Sequence, residues 1–170
     1  MIDSNLIKNI MDDIRVELTD EFDKNFERKA FFDRPWAPLS PDYQPTEGSM
    51  LERTGALRHS IRPHVDGNTL TYTSSTPYAT IHNEGGTIKQ DFVMTPKMQR
   101  QALAKYKNSK SDRDLKTAYA KRIRRIITIP ARPFIGRHPV VDAAVDQIVR
   151  ENIKKVADRQ IKQMLNLKNK

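Results

Sequence analysis

The sequence predicts an α+β fold in which a small, mainly antiparallel β-sheet packs against long N- and C-terminal amphipathic helices. The first observation is that apolar residues recur every three or four positions over residues 4–30 and again over residues 139–165. The second is that two β-prone runs, residues 61–65 and 69–75, flank an Asp-Gly-Asn turn signal. Long helices at both ends with strands between them are typical of the α+β class.

The first predicted element is the helix over residues 4–30, for which Asp3 or Ser4 is a candidate N-cap. Four prolines follow between residues 34 and 48, and they forbid a helix and favour an extended, ordered loop. Trp36, the only tryptophan of the chain, lies in this loop. We expect its ring to anchor the loop on the core while the indole N–H binds an acceptor.

A short helix and a hairpin are predicted next. Thr54 is a plausible N-cap for one or two helical turns in which Leu57 and Ile61 face inward. The turn signal at residues 66–68 predicts a β-hairpin between the two β-prone runs. Pro63 lacks an N–H group, so the first strand is expected at a sheet edge or at a strand start.

A second short helix is expected to begin after Thr76, its candidate N-cap, because the proline that follows suits the first helical position. Tyr78 and His82 then fall on one face of this helix. The glycine pair Gly85 and Gly86 predicts its end, since a glycine readily adopts the left-handed conformation of a helix C-cap.

The remaining segments predict a strand at residues 87–95, two polar helices at 96–106 and 112–121, and a strand at 123–129. Residues 130–136, Pro-Ala-Arg-Pro-Phe-Ile-Gly, form a rigid connector because proline fixes the backbone dihedral φ. A proline also stands at the expected start of the last helix, where it suits the first turn.

Composition excludes several classes of protein. The chain has no cysteine, so it contains no disulfide scaffold, thiolate zinc site or cysteine nucleophile. Its mean hydropathy is −0.71 and no run of about 18 apolar residues occurs, so we expect no membrane span. The first residues lack a basic segment followed by an apolar stretch, and we therefore expect no secretory signal.

The sequence offers little catalytic chemistry. None of its four histidines lies in a zinc-protease or deaminase motif, and no phosphate-binding glycine loop or nucleophile elbow is present. A metal-dependent hydrolase or nuclease using His82 and Glu84 lacks a further ligand at suitable spacing. The alternative is that His82 packs against Tyr78 and is hydrogen-bonded locally. We predict a protein that is not an enzyme and holds no metal or cofactor.

The basic charge is confined to one segment. The chain has 30 basic and 21 acidic residues, a net charge of +9. Residues 97–125 hold 11 basic and two acidic residues, so this segment carries the whole excess and the rest is neutral. Such a block favours a polyanion, a membrane surface or an acidic protein as partner. Its densest part supplies the candidate contact residues Lys121, Arg122, Arg124 and Arg125.

Nucleic-acid binding through residues 97–125 is therefore the alternative function. Only Tyr106 and Tyr119 could stack on bases, so single-stranded nucleic acid is poorly supported. Contact with duplex phosphates requires only Lys and Arg. A third interpretation is that the segment is simply a solvated, lysine-rich surface.

Three segments in a fixed order carry a resemblance. They are residues 51–61 (L-x-x-T-G-x-L-R-x-S-I), 78–86 (Y-A-x-I-H-N-x-G-G) and 130–136 (P-A-R-P-F-I-G), preceded by W-A-P-L at residues 36–39. Together they resemble the tailed-phage virion morphogenesis family, the tail-completion or head–tail joining proteins. The resemblance covers residues 22–149.

The resemblance implies a structural protein of the virion neck or tail that acts in tail completion or head–tail joining. It implies self-association, often as a ring, and docking to tail-tube, tail-terminator or connector proteins. From the hydropathy we expect no membrane partner. Such a protein is expected in the host cytoplasm during assembly and in the finished virion. The expected organisation is a single domain over residues 1–170 with a basic insertion at 89–125, which departs from the family pattern.

The residues that match the motifs are expected to maintain the fold, with contact to partners as an additional role. In the connector, Pro130 and Pro133 should hold Phe134 in an extended geometry. Arg132 is expected to pair with a carboxylate such as Glu84. The motif residues singled out in this way are Trp36, Thr54, Gly55, Leu57, Ser60, Tyr78, His82, Gly85, Gly86, Ala131, Arg132, Pro133, Phe134 and Gly136.

Overall fold

The computed structural model describes residues 4–40 and 48–168. The chain forms two compact units, which we call the body (Met1–Glu84 with Ala131–Lys170) and the arm (Gly85–Pro130). The basic insertion predicted at residues 89–125 lies inside the arm. The candidate N-cap Asp3 and part of the proline-rich loop, residues 41–47, lie outside the described residues.

The α+β class is confirmed, with long helices at both ends of the chain and antiparallel strands between them. In chain order the elements are α1 (Ser4–Arg28), β1 (Ala30–Phe31), β2 (Arg34–Pro35), α2 (Ala56–Ser60), β3 (Ile61–Asp66), β4 (Thr69–Ser74), α3 (Ala79–Glu84), β5 (Gly86–Val93), α4 (Pro96–Ser109), α5 (Asp112–Tyr119), β6 (Arg122–Ile129) and α6 (Pro139–Lys168).

The two long helices of the body pack against each other, as their apolar stripes predict. Helix α1 buries one side chain per turn, and α6 supplies the facing apolar side chains. Fully burying one such side chain stabilises a fold by about 1.5–3 kcal/mol. The buried members of this first core cluster are Met11, Ile14, Leu18, Phe22 and Phe31.

A second core cluster brings the motif segments together. Phe26, which is 0% exposed, lies at its centre and packs edge-on against Trp36 and tilted against Phe134. Leu57 of α2 and Ala79 of α3 complete it. The loop, both short helices and the connector are thus fixed by one set of apolar contacts at the C-terminal end of α1.

The strands form three two-stranded antiparallel sheets rather than one shared sheet. In the body, β1 pairs with β2, and β3 pairs with β4 around the Gly67-Asn68 turn. In the arm, β5 and β6 pair over eight residues each, from Gly86 opposite Ile129 to Val93 opposite Arg122. The hairpin predicted around residues 66–68 is confirmed.

Two of the predicted helix caps are wrong. The N-cap position of α2 is Gly55, with φ 70°, and Thr54 lies one residue before it, where its hydroxyl accepts from the Ala56 N–H at 3.4 Å. A Cβ at this position would lie 2.9 Å from the His59 ring, which together with the left-handed φ explains the glycine. Helix α3 begins at Ala79, three residues after Thr76, and the Thr76 hydroxyl lies 2.9 Å from that of Ser74.

Within the arm, helices α4 and α5 follow β5 and precede β6 in the chain, and they pack on each other. Thr95 caps α4, its hydroxyl oxygen accepting a hydrogen bond from the Met98 N–H at 3.3 Å. The Gln99 amide then donates to the Ala120 carbonyl oxygen at 3.1 Å. These contacts confirm the two polar helices and two strands expected in this part of the chain.

Candidate functional site

The motif segments meet in the body, where the 130–136 connector is held by side chains from distant parts of the chain. The Trp36 indole N–H donates to the Pro133 carbonyl oxygen at 2.5 Å, as expected of an anchoring tryptophan. The Arg132 N–H donates to the His82 carbonyl oxygen at 2.8 Å, which ties the connector to α3. The connector is therefore fixed through its backbone on two sides.

The expectation that Arg132 pairs with Glu84 or another carboxylate is wrong. Its Nε donates to the Ala37 carbonyl oxygen and its Nη2 to the Pro38 carbonyl oxygen, both at 2.9 Å. These carbonyl groups belong to an extended loop and have no strand partner, so they are available as acceptors. Arg132 is buried, and this burial lowers the pKa of its guanidinium with no carboxylate of the described residues opposing the effect.

Two asparagines, the buried Asn25 and the half-buried Asn83, also hold the connector, and neither was among the site residues expected from the sequence. The Asn83 Oδ1 accepts from the N–H groups of Phe134 and Ile135, at 3.0 and 3.2 Å. Asn25, 0% exposed, donates to the Phe134 carbonyl oxygen and accepts from the Phe32 N–H. An amide on the buried face of α1 was the signal available in the sequence.

A hydroxyl cluster fixes α2 to β4. The Ser60 hydroxyl donates to the Leu57 carbonyl oxygen at 2.7 Å and lies 2.7 Å from the hydroxyl oxygen of Ser74. Leu57 itself is buried in the second core cluster. The predicted motif residues Leu57 and Ser60 therefore act on the fold, one through apolar packing and one through hydrogen bonds.

Arg58, also within the first motif, lies among three carboxylates. Its guanidinium contacts Asp23 through two hydrogen bonds, and it reaches Glu27 at 2.7 Å and Glu52 at 2.8 Å. Hydrogen bonds from Arg58 lower the pKa of Asp23, and the acidic partners raise the pKa of Arg58. Such a bidentate arrangement joins α2 to α1 on the surface of the body.

His82 has an unusual environment. Its ring packs edge-on against Tyr78, with 5.8 Å between ring centroids, as expected. The local hydrogen bond expected for the ring is absent at Nδ1, which is buried and has no partner among the described residues. Burial, and then the charge of Arg132, lower the pKa of His82, so the ring is neutral at pH 7.

The geometry around His82 and Glu84 does not assemble a metal site. Across residues 4–40 and 48–168, no group of three or more His, Asp or Glu side chains is placed to hold a metal ion.

The remaining motif residues shape the backbone and the surface. Gly85 has φ 76° directly after α3, as predicted for a C-cap glycine.

A shallow surface pocket of about 350 Å³ opens beside the connector. Ala131, Pro133 and Gly136 form one side, and Trp36 and Phe31 contribute aromatic surface. This arrangement offers shape and apolar surface and no nucleophile or acid–base pair. Gly86 begins β5, and a Cβ placed at Gly136 would lie 3.5 Å from the Phe31 ring, at ordinary contact distance.

In the arm, the four predicted contact residues lie at the start of β6 and are exposed. Arg122 forms two hydrogen bonds with Asp91, at 2.5 and 2.9 Å, and Arg124 reaches the same carboxylate at 3.3 Å. These contacts lower the pKa of Asp91. Arg125 donates to the Gln90 side chain at 2.6 Å. Of the four, only Lys121 has a side chain without a protein partner among the described residues, while its backbone carbonyl oxygen accepts from the Met94 N–H at 2.9 Å.

Comparison with known proteins gives one match. The model of the phage virion morphogenesis family matches residues 4–154, nearly the whole chain. No curated protein and no solved structure matches the chain significantly. None of the helices in the described part of the chain combines the length and apolar character that crossing a membrane requires.

Proposed function

The chain belongs to the phage virion morphogenesis family, and on this basis we propose that it is a structural protein of the neck or tail. Its proposed step in virion assembly is tail completion or head–tail joining. It acts without catalysis, metal or cofactor, and it works in the host cytoplasm during assembly before it becomes part of the virion.

One observation carries the non-enzymatic proposal: the motif side chains bind the protein's own backbone. Trp36, Arg132 and Asn83 all place their polar groups on backbone carbonyl or N–H groups of other segments. Groups used in this way are not free to bind or activate a substrate. The motifs therefore serve to make a defined rigid shape, which is what an assembly protein presents to its neighbours.

Self-association, in the form of a ring, is part of the proposal. The second half of α6 exposes large apolar side chains, each about half accessible to solvent: Ile153, Ile161, Met164 and Leu165. An exposed apolar surface of this kind typically marks a protein–protein contact. The other proposed partners are tail-tube, tail-terminator or connector proteins.

Purified virions of the encoding phage provide the direct test. Mass spectrometry should detect the chain in virions, and antibody labelling should place it at the junction of head and tail or along the tail. Light scattering should show an oligomer of the purified protein. A strictly monomeric protein that is absent from virions would contradict the proposal.

A further inference from the structure

We propose that the arm binds duplex DNA through its exposed lysines, which contact backbone phosphates without reading the base sequence. This inference goes beyond the assembly role and does not depend on it. Three observations support it: how charge is divided between the two units, which cations already have protein partners, and how little aromatic surface the arm exposes.

The arm holds the whole charge imbalance of the protein. Counted from the sequence, its 46 residues contain 12 basic and three acidic side chains, a net charge of +9. The body contains 18 basic and 18 acidic residues and is neutral. A compact unit with this excess attracts polyanions, while the body gives no such attraction.

The structure separates cations whose side chains have protein partners from those that are available. Asp91 is engaged by Arg122 and Arg124, and Asp114 by Lys105 at 3.4 Å. Lys110 lies over the Tyr106 ring. Six other basic side chains are exposed and have no hydrogen-bond or ion-pair partner within the described residues: Lys89, Lys97, Arg100, Lys107, Lys116 and Lys121.

The available cations lie on β5, on both helices α4 and α5, and, for Lys121, just before β6. Lys89 lies on β5, Lys97, Arg100 and Lys107 on α4, and Lys116 on α5. A site drawn from so many elements presents charge over much of the unit rather than at one point. Duplex DNA carries one phosphate charge per ~1.7 Å of helix axis, so several cations can be matched at once.

The chemistry favours DNA over an acidic protein. Five of the six available cations are lysines, and lysine is depleted at protein–protein interfaces but suits phosphate contacts as a compact charge. It also favours duplex over single strands, because stacking on bases needs free aromatic faces. The Tyr106 ring is covered by Lys110, which leaves Tyr119 as the one exposed aromatic ring among the arm's described residues.

The test measures binding of the full chain to a short labelled duplex of mixed sequence as salt is raised. The arm variant Lys97→Gln, Lys107→Gln, Lys116→Gln, Lys121→Gln is compared with a body variant of equal charge, Lys154→Gln, Lys155→Gln, Arg159→Gln, Lys162→Gln. The body residues are exposed positions on α6. Circular dichroism and melting temperature establish that each variant is folded.

The arm variant should bind at least about tenfold more weakly at moderate salt. Its slope of log affinity against log salt should fall by up to about 3.6, since each lost phosphate contact removes about 0.9. The body variant should stay within about twofold of the wild type. If the arm variant unfolds, the smaller variant Lys89→Gln, Arg100→Gln should show the same effects at about half the size in slope.

Any of the following results would overturn the proposal. The first is no binding of wild-type protein to duplex even at low salt, and the second is an equal loss of affinity in the arm and body variants. The third comes from competitors: poly-glutamate displacing the duplex at equal charge would assign the arm to an acidic protein, and tighter binding of single-stranded DNA would assign it to unpaired strands.

Discussion

The indole N–H of Trp36 donates a hydrogen bond to the carbonyl oxygen of Pro133, with 2.5 Å between the two atoms. This bond joins positions 97 residues apart in the chain. It also links two of the segments that carry the resemblance to the family. Around it, the motif residues make contacts that stabilise the fold, and this is the basis of the predictions that follow.

Trp36 should stabilise the fold through both its ring and its indole N–H. Replacing Trp36 by Phe keeps much of the ring but leaves the Pro133 carbonyl without its donor, which should cost about 1–3 kcal/mol in free energy of unfolding. Replacing it by Ala should cost about 3–5 kcal/mol. Urea unfolding measures both values. Tyr119→Ala is the control, because this ring is 74% exposed and should change stability by less than about 0.5 kcal/mol.

The stability of the fold should be sensitive even to a substitution of Arg132 that keeps the positive charge. The variant Arg132→Lys retains a cation but cannot place two fixed donors on the Ala37 and Pro38 carbonyl oxygens. We expect a loss of about 1–3 kcal/mol in the free energy of unfolding. The exposed Arg137→Lys should be neutral. A stable Arg132→Lys protein would show that charge alone matters at this position.

The contacts of Arg58 should make stability depend on acid pH. Because Arg58 lowers the pKa of Asp23, the stabilisation is complete above the unfolded-state pKa of about 3.9 and is lost as pH falls toward the lower folded-state value. The variant Arg58→Gln should make stability fall less steeply with acid pH. At pH 7 it should lose only about 1 kcal/mol of unfolding free energy for each ion pair, because the carboxylates are partly exposed.

Unfolding by urea at a series of pH values measures that decline. The control is Arg62→Gln, since the Arg62 guanidinium donates to the carbonyl oxygens of His59 and Ile61 and to no carboxylate of the described residues. It should keep the wild-type pH dependence. An unchanged decline in Arg58→Gln would mean that other carboxylates control acid stability.

Protonation of His82 should make the stability of the fold depend on pH in a second range. Its pKa is lowered in the folded protein, so its contribution is present above the unfolded-state pKa of about 6.5 and is lost as pH falls below that value. The variant His82→Gln should remove the part of the pH dependence of stability that lies just below that pKa, whereas the exposed His64→Gln should keep it. Equal pH profiles for His82→Gln and the wild type would contradict this account.

His82→Ala also separates the assembly role from a hydrolase or nuclease. An assembly protein needs no proton transfer at this ring, so folded His82→Ala protein should still support virion formation. The measurement is the yield of infectious particles when the variant replaces the wild type at a temperature where both are folded. Metal-dependent nuclease activity in the wild type that disappears in the variant would support the enzyme instead.

Patterns with a short period predicted the elements of the fold well. The helix over residues 4–30, the hairpin at 66–68 and the last helix all follow from apolar periodicity or turn residues, which act locally. The caps at Thr54 and Thr76 could not be placed in the same way. A hydroxyl has several possible acceptors, and the tertiary structure decides which one it uses.

The contacts of the site join distant parts of the chain, and most of them could not be predicted from the sequence. Arg132 was expected to find a carboxylate, but folding brings the unpaired carbonyl groups of the proline-rich loop to it. Asn25 and Asn83 were missed because an amide gives no local signal of which backbone groups it will bind. In the arm, the strand register places Asp91 opposite Arg124 and so neutralises part of the predicted contact cluster.

Disruption of the gene in its phage tests the central claim most directly, with complementation by the wild-type protein and electron microscopy of the lysate. A tail-completion or head–tail joining protein predicts separate heads and tails, few joined particles, and recovery of joined, infectious virions on complementation. Normal numbers of joined, infectious virions without the protein would contradict the claim.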